Sequence, residues 1–358
     1  MAALVRAATP AAGIPAHDAP VTNTANPVLA EVTRGDMVES RHRGSVAVAD
    51  AAGTVLFGLG SIDAPVYPRS AIKPLQALAL VESGAADAFG LSAEEIALAC
   101  ASHSGEPRHV AGVEAWLRKI GCGPEDLECG PQPPTNEEAL RALLAQGRTP
   151  AAIHNNCSGK HSGFLTVARH FGWPIKGYIG FDHPVQQLVR RIVSEIAGVE
   201  TGAAPRGIDG CGIPVLAMPL SNIAMAMARL ASPQGLPAAR REAALRIRAG
   251  MAAHPFLVGG TKRFGTAVME AAGGRTLVKG GAEGVYCAML PASGLGIALK
   301  IDDGAGRAAE VAIGYLLRRF KALDDAVAGQ LEEKLEPAIR NWAGREVGRI
   351  RPAGALLT

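Results

Sequence analysis

One proline restricts this chain more than any other residue: Pro74, which closes the string Arg69-Ser70-Ala71-Ile72-Lys73-Pro74. A proline has no N–H to donate and fits a helix only in its first turn, so a helix carrying Pro74 must begin near Arg69 or Ser70. Apolar residues at Ile72, Leu75, Leu78, Ala79 and Val81, followed by Gly84, predict that helix over 70–83 with a glycine cap. Ser70 and Lys73, three residues apart, then share one face of the first turn, with the amine beside the hydroxyl.

The patterning differs on either side of this helix. Residues 29–62 alternate, with Val32, Val46, Val48, Val55 and Phe57 as apolar points and Ala51-Ala52-Gly53 as a turn, which predicts a meander or hairpin. Near the other end, 284–290 and 295–301 are strand-like runs around Pro291-Ala292-Ser293-Gly294, and 307–320 is an amphipathic helix. Between them, Ser92-Ala93-Glu94-Glu95 is a capping box for a helix that breaks at Ser102-His103-Ser104-Gly105, and another helix follows Pro107.

The expected class is α+β: an antiparallel sheet flanked by helices, drawn from about 29–62 and 275–301 plus a C-terminal helix, with an all-helical region over about 70–260 inserted. Residues 28–358 form a single compact catalytic unit in this reading. Residues 1–27, rich in Ala, Pro, Thr and Asn without apolar periodicity, are expected to be a disordered or loosely attached tail.

With 48% hydrophobic residues in 358, a large core can form, but only 4% are aromatic, so Ala, Val, Leu and Ile must fill it. The net charge of +3 comes from charges spread along the chain, so nucleic acid is not an expected partner. Neither a secretory signal nor a run of about 18 apolar residues is visible, which makes the cytoplasm the expected location, with no membrane partner. In that compartment the six cysteines suggest metal binding, catalysis or simple burial rather than disulfides.

Three groups of residues could carry chemistry. The first is Ser70 with Lys73: a serine becomes nucleophilic when a base takes its proton, and a lysine serves once its pKa is lowered. The second is Ser102 with Lys279, which ends an apolar run before Gly280-Gly281; a surface loop and a solvated lysine are the ordinary alternative. Together they match in part the S-x-x-K, S-x-N and K-T-G layout of serine β-lactamases. The third joins Asn155-Asn156-Cys157-Ser158-Gly159-Lys160-His161 to Asp209-Gly210-Cys211-Gly212. It is open between a zinc site and inert buried thiols. Gly159-Lys160 is no phosphate loop, because the glycine five positions earlier is missing.

Taken in order, Arg69-Ser70-Ala71-Ile72-Lys73-Pro74, Ser102-His103-Ser104-Gly105-Glu106, His154-Asn155-Asn156-Cys157-Ser158-Gly159-Lys160-His161 and Gly207-Ile208-Asp209-Gly210-Cys211-Gly212-Ile213-Pro214 resemble the rhizobial-type L-asparaginases, the asparaginase II family. The resemblance runs from about residue 28 to 320 and implies a serine β-lactamase-like fold. It implies hydrolysis of the side-chain amide of L-asparagine, with Ser70 as nucleophile and Ser70–Lys73 and Ser102–Lys279 as two meeting pairs. Lys279 is the least direct transfer, since its motif departs from K-T-G. By the same resemblance one zinc would be held by Cys157, Lys160 and Cys211, substrate by Arg69, Asp209, His103 and Asn156, and the chain would form a homodimer. A β-lactamase-like or peptidase-like acyl hydrolase, or a non-catalytic zinc and amino-acid binding protein, are the alternatives.

Overall fold

A computed structural model describes residues 25–358 apart from Thr201 and Ala203. Most of the expected tail therefore lies outside the described residues. Asn26, at its end, is tied down: its carbonyl accepts from Arg43 at 2.8 Å and its side-chain amide donates to Asp302 at 2.9 Å.

The architecture is α+β. An eight-stranded antiparallel sheet runs in the order Ala338–Arg340, Glu346–Pro352, Val28–Arg34, Met37–Ala49, Leu295–Ile301, Val285–Leu290, Leu277–Gly280, with Val55–Leu59 also paired to Met37–Ala49. The strand Met37–Ala49 joins the two ends of the chain, pairing first with Val28–Arg34 and then with Leu295–Ile301. Every residue of Val285–Leu290 is buried, so both faces of the sheet are covered there; the helices Leu220–Ala231 and Gly306–Arg319 pack on it.

The two C-terminal strands go beyond the expectation. Glu346–Pro352 alternates charge with apolar residues only loosely, and its arginines pair with Glu346 and Glu31 on the exposed side. The region between the sheet's halves is mostly helical and also carries two short antiparallel pairs, Pro65–Val66 with Met218–Pro219 and Arg206–Ile208 with Pro214–Leu216. No described helix is long and apolar enough to cross a membrane.

Local rules explain how the site is presented. The capping box forms, Ser92 N donating to Glu95 Oε2 at 2.6 Å, and the helix Ala93–Ala99 then ends just before Ser102. The helix expected over 70–83 is instead a 3₁₀ turn, Arg69–Ile72, followed by Lys73–Gln76 and Leu78–Glu82. Pro74 is the cause. It cannot donate to the Ser70 carbonyl four residues back, so Lys73 N–H takes that carbonyl and tightens the turn to 3₁₀.

The edge strand Leu277–Gly280 brings Lys279 against this turn, and Gly281 permits the approach: a Cβ there would stand 3.0 Å from Ala71 N and Pro68 O. Gly281→Ala is therefore expected to press the Ser70 turn back by a few tenths of an ångström and to lower turnover, by less than the roughly 10²-fold that a misplacement of about 1 Å costs. Steady-state kinetics beside a melting curve checks this; unchanged kcat would mean the turn does not depend on the close approach.

Candidate active site

Ser102 lies between two buried lysines. Lys279 Nζ donates to its Oγ at 2.8 Å and to Gly280 O at 2.7 Å. Lys73 Nζ approaches the same Oγ at 3.1 Å and also bonds Asn156 O at 3.3 Å and Ala101 O. Burial, reinforced by the positive charge of Lys73, holds the Lys279 amine well below its ordinary pKa. Lys279 is thus an amine that can be neutral and accept a proton through the hydroxyl it touches. Cys100 and Cys287, close by, are pushed up to about 12 by burial and stay protonated.

Ser70 Oγ makes no hydrogen bond among the described residues. The amine of Lys73, expected beside it, is turned to Ser102, where three oxygens converge on it: Ala101 O, Ser102 Oγ and Asn156 O. Ser70 instead stands where two cavities meet. One, of about 280 Å³, is lined by Ser70, Ser102 and Lys279; the other, of about 350 Å³, by Ser70, Arg69, Asp209, Cys157 and Cys211.

Arg69 has φ of 50°, in the left-handed region that a non-glycine residue adopts at a cost, and its guanidinium bonds Asp209 Oδ1 at 2.9 Å. Asp209 and Cys211 sit on the turn between Arg206–Ile208 and Pro214–Leu216, closed by Asp209 N to Ile213 O at 2.9 Å. Burial alone would raise the Asp209 carboxyl, but the charges of Lys160 and Arg69 and the Gly210 amide hold it below its usual range.

Cys157 precedes the helix Ser158–Phe171, which carries Lys160 into the interior, where Nζ donates to Cys211 Sγ at 3.0 Å. Gly159 lets this helix pack on the end of Ala93–Ala99, since a Cβ would fall 2.3 Å from Leu98 O. A hydrogen bond from Cys211, aided by the Lys160 charge, holds the Cys157 thiol well below its ordinary pKa, and Cys211 is raised correspondingly. His161 faces away, its Nδ1 2.7 Å from Tyr178 Oη. Among the described residues no three of His, Cys, Asp and Glu group as a metal site. What converges is two sulfurs and an amine, ligand types that suit zinc.

The two remaining expected substrate residues differ. Asn156 lines both cavities, and its side chain accepts from Cys157 Sγ at 3.0 Å. His103 lines neither: it is 1% exposed, bonds Ser158 Oγ at 2.8 Å and stacks on His109, so it braces the Ser102 segment. Sequence reasoning missed Gln132, which lines the Asp209 cavity and accepts from Asn156 N at 3.1 Å. Its signal is the Pro131-Gln132-Pro133-Pro134 string, a rigid loop in which a polar residue is displayed.

No curated protein sequence matches the chain. Solved structures similar to it include an Aspergillus terreus simvastatin synthase (LovD) mutant, 12% identical, covering 72% of this chain and 86% of that one with a TM-score of 0.39. A β-lactamase from Mycobacterium bovis is 15% identical over 82% of this chain and 94% of its own, with a TM-score of 0.37. The family model for L-asparaginase II matches residues 30–352 and takes in every site residue described above. That coverage gives the coarse chemistry, hydrolysis of an amide or acyl bond, and it shows that the chain belongs to the L-asparaginase II family.

Proposed function

We propose that the protein hydrolyses the side-chain amide of L-asparagine to L-aspartate and ammonia, with Ser70 as the nucleophile. The observation carrying this reading is the position of Ser70, between a cavity holding the Arg69–Asp209 pair and one lined by Ser102 and Lys279, with Lys73 also in contact with the Ser102 hydroxyl. The first cavity presents opposite charges suited to an amino-acid zwitterion, Asp209 for the α-ammonium and Arg69 for the α-carboxylate. The second presents the acid–base groups. Ser70 Oγ attacks the amide carbon, its proton passes through Ser102 to Lys279, and the C–N bond breaks as the nitrogen is protonated and leaves as ammonia. Water then cleaves the β-aspartyl ester along the reverse route.

Cys157, Lys160 and Cys211 would hold a zinc ion, with Lys160 and the thiols giving up protons to bind it. Bound there, the metal supplies positive charge and rigidity beside the zwitterion's cavity. Protein purified from metal-replete growth is expected to carry about one zinc per chain, lost in Cys211→Ala; zinc-free wild type would remove the assignment.

The direct test is ammonia release from asparagine, beside glutamine and a chromogenic β-lactam. Asparagine should be turned over, and glutamine roughly 10- to 200-fold less well if only the extra methylene discriminates. Hydrolysis of the β-lactam without ammonia from asparagine would overturn the reading in favour of a different acyl hydrolase.

A further inference from the structure

The cavity on the Ser102–Lys279 side is far larger than its task in asparagine hydrolysis requires. A leaving ammonia is close to water in size, and a site for one such molecule needs only roughly 10–15 Å³. This cavity measures about 280 Å³ and extends past Lys279 to Thr266, Met269, Tyr286, Glu310 and Arg263. Because the proton donors line it and the Arg69–Asp209 pair does not, it is the side on which the amide nitrogen departs.

Arg263 gives this space a chemical character. It stands just before the helix Phe264–Ala271, exposed, and no side-chain hydrogen bond or ion pair occupies its guanidinium among the described residues. Glu310 also lines the cavity without coming within 4.0 Å of Arg263 as an ion pair; burial raises its carboxyl, while the charges of Arg263 and Lys334 oppose that rise.

The position of Arg263 is built rather than incidental. Its loop is fastened to the segment that carries Ser102. Ser102 N donates to Val258 O at 3.0 Å, and Ser104 Oγ to Gly259 O at 2.9 Å. Glu106 then clamps Thr261 twice, accepting from its N–H at 2.8 Å and its hydroxyl at 2.6 Å. The Ser102-His103-Ser104-Gly105-Glu106 motif thus ties the segment carrying the catalytic hydroxyl to the loop that leads into Arg263.

We infer that this cavity is a leaving-group subsite for amines that carry a carboxylate, so that the protein also cleaves β-aspartyl peptides, with Arg263 binding the carboxylate of the departing amino acid. The inference rests on the reading of Ser70 as nucleophile against a β-aspartyl amide. The chemistry is the same: the Ser70 oxygen bonds to the β-carbonyl carbon, the C–N bond breaks, and the amino-acid nitrogen leaves with the proton from Ser70 relayed through Ser102. Water then releases aspartate.

The test uses the full chain with three substrates, asparagine, β-aspartyl-alanine and N4-methyl-asparagine, the last having the substituted nitrogen without a carboxylate. The dipeptide is expected to show kcat/KM at least tenfold above the methyl amide. In Arg263→Ala it should lose at least tenfold more kcat/KM than asparagine does, with partial recovery in Arg263→Lys. No cleavage of the dipeptide by an enzyme that hydrolyses asparagine overturns the subsite and leaves the asparaginase reading standing. Equal rates for dipeptide and methyl amide overturn the role of Arg263 even if the variants fold poorly. Inactivity on all three overturns both readings, and cleavage of the dipeptide alone supports the subsite while removing asparagine as the substrate.

Discussion

Ser70→Ala is expected to lower ammonia release from asparagine by about 10⁴-fold, with little change in melting temperature. The size follows from removing a covalent nucleophile whose partners act as a unit; the remaining groups then bind substrate without a route to the acyl-enzyme. The small effect on stability follows from the environment of Ser70, whose hydroxyl holds no hydrogen bond among the described residues and faces two cavities. Ser102→Ala sets the contrast. That hydroxyl joins Lys73 and Lys279 at 3.1 and 2.8 Å, so its loss breaks a proton relay and should cost roughly 10²–10⁴-fold while leaving a slow acyl-enzyme to be trapped. Mass analysis of quenched protein distinguishes them: a β-aspartyl ester on the Ser70 peptide supports the assignment, and an ester on Ser102 in Ser70→Ala would reverse the two serines.

Much of the sheet was legible because its strands obey local rules. The alternation in Met37–Ala49 and the strong runs of Val285–Leu290 and Leu295–Ile301 belong to the sheet's centre, where side chains are buried. The strand Glu346–Pro352 escaped because it lies toward the sheet's edge, where Arg349 and Arg351 pair with glutamates at the surface and blur the period. Pro74 correctly located the start of the turn, yet its missing N–H also converted that turn to 3₁₀, which no count of apolar positions reveals.

In the site, strings of neighbouring polar residues were readable, whereas groupings made by tertiary approach were not. The redirection of Lys73 from Ser70 to Ser102 depends on Ala101 O and Asn156 O, both backbone atoms that carry no sequence signal. His103 entered as a substrate residue only through the family resemblance; its stack on His109 and its burial are made by tertiary packing that its own motif does not show. Arg263 stands in no motif; only the clamp from Glu106 makes its position significant.

Lys279 carries the second large expected effect. Lys279→Met, which keeps the length of the side chain and removes the amine, is expected to lower kcat by roughly 10²–10⁴-fold. Lys279→Arg should lose as much, because a guanidinium retains charge but does not give up its proton. The pH profile supplies the sharper reading. Burial, then the Lys73 charge, depress the Lys279 pKa, so in wild type kcat/KM should rise as pH climbs through a value well below the ordinary 10.5 and that limb should vanish in both variants. Stability moves in the same direction. Between the depressed folded pKa and 10.5 the unfolded chain binds more protons than the native one, so wild-type stability rises with pH across that window, and its penalty is full below the folded pKa. Lys279→Met removes this dependence and should melt no lower than wild type near neutral pH. A Lys279→Arg enzyme with near-normal turnover would show that the site needs a cation there rather than a base, and would transfer the proton to Lys73.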